Sequence, residues 1–411
     1  MTSTRSWIHP SWVVVLAGVC AALHVGKIPP ALPVLQAALS LSLVQAGFLL
    51  SMVQLAGMTL GLVVGLSVDS VGLRRSMLAG LGLLTLASAL GGFATGIDAL
   101  LVLRAMEGFG FLWVVMPAPA LIRRCVSAAQ LNARMGQWSA YMPLGTATAL
   151  LVGSWVLSVW RWPVWWWCLS GVSALAWWMV WTGIAPDVPR APSARVAASE
   201  GWRQRLRQTL RARGPWLLSL TFGVYAAQWL AVIGFLPTVY AGLGVAEGLS
   251  GLLTAGVALA NMGGNLASGR LLQRGWQGRQ LLFIGFGSMA LGAVGAFGEW
   301  QGWGLPMAGR YVSVILLSAV GGLIPGTLFA LAMRLAPSPD TLSTTVGWMQ
   351  QWSATGQFFG PPVVAWVAAS MGGWQWTWAV TGSCCLVGMG LAVAIDRALR
   401  VVAPRAGQGL S

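Results

Sequence analysis

Apolar residues occupy the chain in twelve long runs that are separated by short polar links. Each run holds roughly 20 residues, which is the length an α-helix needs to cross the hydrocarbon core of a bilayer. The pattern therefore predicts an all-α membrane protein with twelve transmembrane helices. The runs cover approximately residues 12–35, a second that ends near Leu66, a third that begins at Ser76, and then 99–122, 135–157, 163–184, 215–238, 248–269, 280–299, 309–333, 344–369 and 375–395.

Composition agrees with this class of protein. Of the 411 residues, 57% are hydrophobic and 8% are charged. A soluble domain carries about 25% charged residues, so this chain cannot cover a water-facing surface of the usual kind. The cysteines have no metal-ligand spacing, and we expect neither a metal site nor a disulfide. They are Cys20, Cys125, Cys168, Cys384 and Cys385.

The net charge of +15 comes from arginines that lie in the short links. Nucleic-acid binding would need a basic face with stacking partners, and the arginines are not arranged in that way. Cytoplasmic links of membrane proteins are enriched in Lys and Arg. The charge pattern therefore predicts that both termini are cytoplasmic, and we expect a bacterial inner membrane.

The longest polar segment divides the chain into two sets of six runs. We expect an N-terminal six-helix bundle at residues 1–184, a basic cytoplasmic loop at 185–214, a C-terminal bundle at 215–396 and a cytoplasmic tail at 397–411. Within the loop, residues 200–213 could form a basic amphipathic helix on anionic headgroups or could be a plain tether.

Tryptophans crowd the turns on the side opposite to the basic links. This placement is typical of an aromatic belt at the membrane interface, with a sugar-stacking platform as the alternative. The residues are Trp155, Trp160, Trp162, Trp165, Trp166, Trp167, Trp300, Trp303, Trp374, Trp376 and Trp378.

Matching runs of the two halves repeat each other, which indicates two related six-helix units. Leu272 stands where Asp69 stands in the first half, so we expect the second half to lack that acid. The matching pairs are Gly61 and Gly264, Gly72 and Gly275, Arg104 and Arg310, and Gln-Trp-Ser-Ala at 137–140 and 351–354.

Two segments resemble signatures of the major facilitator superfamily. The link GLVVGLSVDSVGLRR at residues 61–75 is similar to its loop signature, which has a glycine, an aspartate, a second glycine and basic residues. Run four reads LLVLRAMEGFGF and resembles a second signature, with Arg104 at its arginine position and Glu107 at a glutamine-like position. A weaker likeness to the cyanate and nitroimidazole permeases lies in HVGKIPPALPVL of run one and in Tyr141-Met142-Pro143-Leu144-Gly145.

The resemblance implies the fold of this superfamily, with two pseudo-symmetric six-helix bundles. It associates Arg104 with proton coupling. It also implies a latch at the inner ends of the helices that acts in the outward-open state. The latch residues would be Asp69, Gly72, Arg74 and Arg75.

Ionisable residues inside apolar runs are the most informative residues, because each costs about 2.5–3.5 kcal/mol to insert into a membrane. Run one contains His24 and Lys27, and run four contains Arg104 and Glu107. Each pair is spaced i, i+3 and so shares one helix face. In the resembled fold runs one and four line a central cavity, where two cations and one acid would attract a small anion. Glu107 or His24 would then carry the coupled proton.

Each of these side chains also has a structural alternative. Lys27 could extend to the outer headgroups. Arg104 and Glu107 could form an ion pair that holds run four to its neighbours, and His24 could be a neutral hydrogen-bonded residue of its helix.

Uncharged polar residues supply further candidates for substrate contact. Hydrogen bonds between helices explain them equally well, because buried amides and phenols need partners. They are Gln137 and Tyr141 in run five, Tyr225 and Gln228 in run seven, and Gln351 and Gln357 in run eleven.

The sequence thus predicts a proton-coupled secondary transporter that moves a small solute, with a small organic or inorganic anion as the favoured class. The alternative is a proton-driven exporter of drugs or of a secreted metabolite such as a siderophore. We expect no enzyme activity and no cofactor, because the chain lacks paired catalytic carboxylates and a nucleotide-binding loop. The expected partners are the solute, protons and the lipid bilayer, with the protein as a monomer.

Overall fold

The computed structural model describes residues 9–127, 130, 134–135, 137–138, 140–187, 192–299, 304–338 and 341–402, apart from the side chains of 63–70, 192–200 and 402. These residues form α-helices and two short 3-10 turns, and no strand occurs among them. The helices are α1 (Pro10–Gly26), α2 (Ile28–Leu39), α3 (Leu43–Ser51), α4 (Leu55–Val71), α5 (Leu73–Gly91), α6 (Ile97–Val115), α7 (Ala118–Cys125), α8 (Tyr141–Val159), α9 (Trp162–Gly183), α10 (Pro192–Arg211), α11 (Arg213–Gly242), α12 (Glu247–Gln273), α13 (Gly278–Phe297), α14 (Met307–Gly321), α15 (Leu323–Leu335), α16 (Leu342–Ser370) and α17 (Thr377–Val402).

Several predicted runs are built from two consecutive helices. The break between α1 and α2 falls at Lys27, just before Pro29, and the break between α6 and α7 falls at Pro117. The matching break between α14 and α15 falls at Gly322, three residues before Pro325. Proline lacks the N–H that would continue the helix ladder and clashes with the preceding turn, so interruptions are expected at these places.

Within the described residues, nine helical stretches have the length and composition to cross a membrane. The three remaining predicted runs correspond to α9, α12 and α16, which are equally long but richer in Trp or in small polar residues. The prediction of an all-α membrane fold is confirmed, and the protein crosses the membrane several times.

The link between α4 and α5 is shorter than predicted. We expected the helices to end near Leu66 and to resume at Ser76, whereas α4 continues to Val71 and α5 begins at Leu73. Gly72 alone separates them, with φ of +106°, a conformation that costs glycine little and other residues more. The side chain of Asp69 lies outside the described residues.

The chain packs into two compact units, residues 1–190 with 234–255 and residues 191–233 with 256–411. In the first unit, residues 234–255 contribute close contacts such as that of Gly251 with Ser154. The predicted bundles at 1–184 and 215–396 divide the chain by sequence position, whereas these two units divide it by packing. The bundles therefore stay a prediction. The central segment contains α10, which is helical over Pro192–Arg211.

Small residues set the spacing around α1 and α6 in the first unit. A Cβ atom added to Gly110 of α6 would lie 2.9 Å from the carbonyl oxygen of Gly80 on α5. A Cβ atom added to Gly26 of α1 would lie 2.9 Å from the Cα of Thr146 on α8. Such close backbone approach is typical of membrane helices, which gain stability from packing rather than from apolar burial. It holds α1 and α6 firmly among their neighbours.

Candidate functional site

The four ionisable residues of runs one and four meet inside the first unit. His24 and Lys27 come from the end of α1, and Arg104 and Glu107 come from α6. The exposed fraction is 0% for His24 and Lys27 and 1% for Arg104 and Glu107. We call these four residues the charge cluster. Charged groups at such depth persist only when they are paired.

Glu107 is the shared acid of the charge cluster. Its Oε1 atom accepts a hydrogen bond from the ammonium group of Lys27, and its Oε2 atom lies 2.5 Å from Nη1 of Arg104. Nδ1 of His24 lies 3.4 Å from Oε1. With a neutral imidazole, the charge cluster holds two positive charges and one negative charge.

Arg104 uses only part of its guanidinium group. Nη1 also donates to the carbonyl oxygen of His24 at 2.8 Å, and Nε donates to that of Leu49 at 3.4 Å. Nη2 is buried and has no hydrogen-bond partner among the described residues. Arginine can present two parallel N–H groups to a carboxylate, so Nη2 is a donor left for an additional acceptor.

Lys27 is enclosed by uncharged groups as well as by Glu107. Nζ donates to Oγ of Ser88 at 3.1 Å and lies 4.6 Å from the centre of the Trp166 ring. The indole N–H of Trp165 donates to the carbonyl oxygen of Lys27 at 3.1 Å. Lys27 therefore points into the unit and does not extend to the headgroups.

Trp165 and Trp166 correct one part of the aromatic-belt prediction. They are 2% and 1% exposed, so they lie in the interior and not at a lipid interface. Their positions near the start of α9 place them beside the α1–α2 break, where they cover Lys27. Trp155 and Trp160, by contrast, are exposed as a belt requires.

His24 connects the charge cluster to α9. Its Nε2 atom lies 2.8 Å from Oγ of Ser173, which in turn lies 3.4 Å from Sγ of Cys20. All three side chains are buried. Sequence reasoning missed Ser173 and Ser88, because a serine in an apolar run has no distinctive spacing.

A second charged site lies where α5 begins. The carboxylate of Asp187 accepts the backbone N–H groups of Arg74 at 3.1 Å and Arg75 at 3.0 Å, and Nη1 of Arg124 at 3.0 Å. Gly72 faces the same carboxylate. A carboxylate at a helix N-terminus satisfies free N–H groups and complements the helix dipole.

Comparison with known proteins decides the family. The family model described as the Major Facilitator Superfamily matches residues 14–355. The chain belongs to the major facilitator superfamily. The superfamily part of the resemblance is therefore confirmed, whereas the likeness to the cyanate and nitroimidazole permeases stays a prediction.

Solved structures share the superfamily fold at low sequence identity. A nucleoside transporter has a TM-score of 0.73 at 12% identity, covering 94% of this chain and 100% of that chain. A D-xylose-proton symporter has a TM-score of 0.70 at 15% identity, covering 94% and 97%. A bacterial homologue of the human lysosomal transporter Spinster, in an inward-facing and unoccupied conformation, has a TM-score of 0.66 at 14% identity, covering 97% of each chain.

A curated relative is similar over part of its length. Monocarboxylate transporter 11 of Mus musculus is 28% identical over 196 residues, which is 43% of this chain and 42% of the relative. The match thus spans less than half of that transporter.

The other predicted site residues of this superfamily member have partners of their own. In the first unit, Oε1 of Gln137 accepts a hydrogen bond from Arg134 at 2.9 Å, and the ring of Tyr141 stacks on Trp138 at 4.3 Å. No described contact joins Gln137 or Tyr141 to the charge cluster.

The predicted site residues of the second unit have uncharged polar contacts. Nδ2 of Asn261 donates to the hydroxyl of Tyr225 and to the carbonyl oxygen of Ser318, both at 2.8 Å. The amide of Gln228 donates to Val224 at 3.3 Å and accepts from Cys385 at 3.2 Å. Gln351 and Gln357 are half-buried on α16.

Among the residues that the structure describes, no group of three or more His, Cys, Asp or Glu side chains is arranged to hold a metal ion. The charge cluster instead pairs one acid with two cations.

Proposed function

We propose that the protein is a proton-coupled secondary transporter that carries a small carboxylate-like anion across a bacterial inner membrane. The observation that supports this proposal is the sharing of one buried acid by two buried cations in the charge cluster. The arginines around Asp187, at one end of the first unit, agree with a cytoplasmic location of that end and of both termini.

The charges of the cluster couple a proton to an anion. Lys27, Arg104 and ionised Glu107 sum to one positive charge. Protonation of Glu107 would leave two cations without a counter-ion, at a depth where unpaired charge costs several kcal/mol. An anion that binds Lys27 and Arg104 removes this cost. The proton and the anion therefore favour each other's binding, which is the thermodynamic requirement for coupling.

The donors of the charge cluster fit a carboxylate. Arg104 has the unused Nη2 group, and Lys27 is released when Glu107 takes a proton. A planar carboxylate would replace Glu107 as the acceptor of both cations. The name of the mouse relative, a monocarboxylate transporter, agrees with this class. The anion class also agrees with the likeness of run one to the cyanate permeases.

The proposal is tested by a thermal-shift screen of the purified protein with small carboxylates and cyanate, beside hydroxamate siderophores and hydrophobic cations. A ligand at 100 times its Kd stabilises the folded state by about 2.7 kcal/mol, so a binding carboxylate should raise the melting temperature by several degrees. We expect Arg104→Gln to abolish this increase.

Arg310→Gln is the matched control, because Arg310 occupies the repeated position in the second half and pairs with Glu299 at 2.7 Å outside the charge cluster. It should preserve the increase. Stabilisation only by siderophores or hydrophobic cations would contradict the anion class and favour an exporter.

A further inference from the structure

One hydrogen-bonded branch of the charge cluster has no part in the coupling described above. It leads from the imidazole of His24 to Ser173 on α9 and then to Cys20 on α1. The distances are 2.8 Å from Nε2 of His24 to Oγ of Ser173 and 3.4 Å from that oxygen to Sγ of Cys20. The exposed fraction is 0% for Ser173 and 3% for Cys20, so the branch lies inside the unit.

The imidazole of His24 stands between this branch and the acid. Its Nδ1 atom faces Oε1 of Glu107 at 3.4 Å and has no hydrogen-bond partner among the described residues. Its Nε2 atom faces Ser173. Histidine can take a proton on one ring nitrogen and release a proton from the other. The ring is thus placed to move a proton between Ser173 and Glu107.

Two buried serines contact the charge cluster, and they differ in their hydrogen bonds. Ser88 accepts from Lys27 and donates its own proton to the carbonyl oxygen of Trp166 at 2.9 Å. A backbone carbonyl holds that proton in place. The described hydrogen bonds of Ser173 run only to His24 and Cys20, and either atom of each pair could be the donor. The hydroxyl of Ser173 can therefore turn from one partner to the other.

We propose that Ser173 is the relay residue through which a proton reaches Glu107, an inference that rests on the proton-coupled transport proposed above. Ser173 passes its hydroxyl proton to Nε2 of His24 and takes a replacement proton from the thiol of Cys20, which in turn takes one from hydrated protons in water. The imidazolium releases its Nδ1 proton to the carboxylate of Glu107. Each group that gains a proton also loses one, except Glu107, which gains the one that water supplied.

Charged groups from α1 and α6 surround the ring. Lys27 and Arg104 face Glu107 beside His24 and disfavour a positive imidazolium, whereas the carboxylate of Glu107 favours it. The other titratable group at the ring is the thiol of Cys20, four residues earlier on α1, which is about 6 Å along the helix axis. The branch thus extends from the acid toward the Pro10 end of α1.

The test follows the carboxylic acid band of Glu107 by time-resolved infrared spectroscopy on the full-length protein in nanodiscs. The pH is dropped from about 8 to about 5, the range in which histidine titrates, and the band is assigned by its loss in Glu107→Gln. We expect Ser173→Ala to slow the rise of the band at least about ten-fold with its final amplitude unchanged. In Ser88→Ala the band should rise at the wild-type rate. Ser173→Cys keeps a proton-carrying group and should recover part of the rate at which the band rises.

Three outcomes would overturn the inference. An equal rate in wild type and Ser173→Ala would remove Ser173 from the proton path and leave coupling through Glu107 intact. Equal slowing in Ser88→Ala and Ser173→Ala would show a general effect of lost packing. Absence of a Glu107 band from the wild-type protein would instead contradict the proposed function, because the acid would then carry no proton.

Discussion

At the scale of single residues, the arrangement around Glu107 follows from the cost of burying charge. The i, i+3 spacings predicted that His24 with Lys27 and Arg104 with Glu107 would each share a face, and the structure brings all four together. The uncharged partners Ser88 and Ser173 could not be predicted, because their roles depend on which helices become neighbours. The ion-pair alternative for Arg104 and Glu107 describes the observed geometry, and the proposed coupling uses the same contact.

The two cations and one acid of the charge cluster predict an order of stability among its variants. Glu107→Gln leaves two buried cations without their acid and should lower the free energy of unfolding by about 3–5 kcal/mol. Lys27→Met leaves Arg104 paired with Glu107 and should cost less. The double variant Lys27→Met/Glu107→Gln should be more stable than Glu107→Gln alone, because one of the unpaired cations is gone. Melting temperatures of the purified variants measure this order.

Glu299→Gln is the control for the same substitution outside the cluster. Glu299 is 42% exposed in its pair with Arg310, and exposed pairs contribute about 0–1 kcal/mol. In the double variant, a loss of unfolding free energy equal to the sum of the losses in Lys27→Met and Glu107→Gln would contradict the account. The two residues would then not share the electrostatic interaction described here.

At the scale of helices, the link between the second and third predicted runs joins α4 to α5 through Gly72, but its charged partner was not foreseen. The signature assigned the latch to Asp69, Gly72, Arg74 and Arg75. Among the described side chains, the acid at this link is Asp187, which lies just beyond α9. Sequence reading placed Asp187 in the central loop, where an acid among arginines has no evident partner.

Removal of the Asp187 carboxylate should change the transport rate rather than the choice of substrate. Asp187→Asn keeps an acceptor for the N–H groups of Arg74 and Arg75 but loses the charge that holds Arg124. We expect slower turnover with an unchanged substrate profile, and the same result for Asp69→Asn if that residue acts in the latch. Initial rates and competition by unlabelled substrates in proteoliposomes measure the two quantities. An altered profile in either variant would contradict the latch assignment.

At the scale of the whole molecule, the internal repeat extends further than the sequence matches. The α6–α7 and α14–α15 breaks occupy equivalent runs, and Gly72 and Gly275 both have positive φ, +106° and +89°. Asp396 on α17 lies 3.7 Å from Arg279 at the start of α13. Asp187 has the corresponding position at the start of α5. The second half thus has an acid, Asp396, at the position that Asp187 has in the first half.

The two halves differ in chemistry despite this repeat. The first unit buries the charge cluster, whereas the described buried polar contacts around Tyr225 and Gln228 in the second unit are uncharged. The sequence indicates this asymmetry, because the ionisable residues away from the ends of the apolar runs are those of runs one and four. The sequence did not predict the exact helix boundaries or the interior position of Trp165 and Trp166, since neighbouring helices determine both.

The most direct test of proton-coupled anion transport is the uptake of labelled small carboxylates into proteoliposomes with an inward proton gradient. We predict that the wild-type protein accumulates a carboxylate above its external concentration. Glu107→Gln should lose this accumulation while still exchanging labelled for unlabelled carboxylate without a gradient. Gradient-driven accumulation in Glu107→Gln equal to that of the wild type would contradict the account, because the acid of the charge cluster would then have no part in coupling.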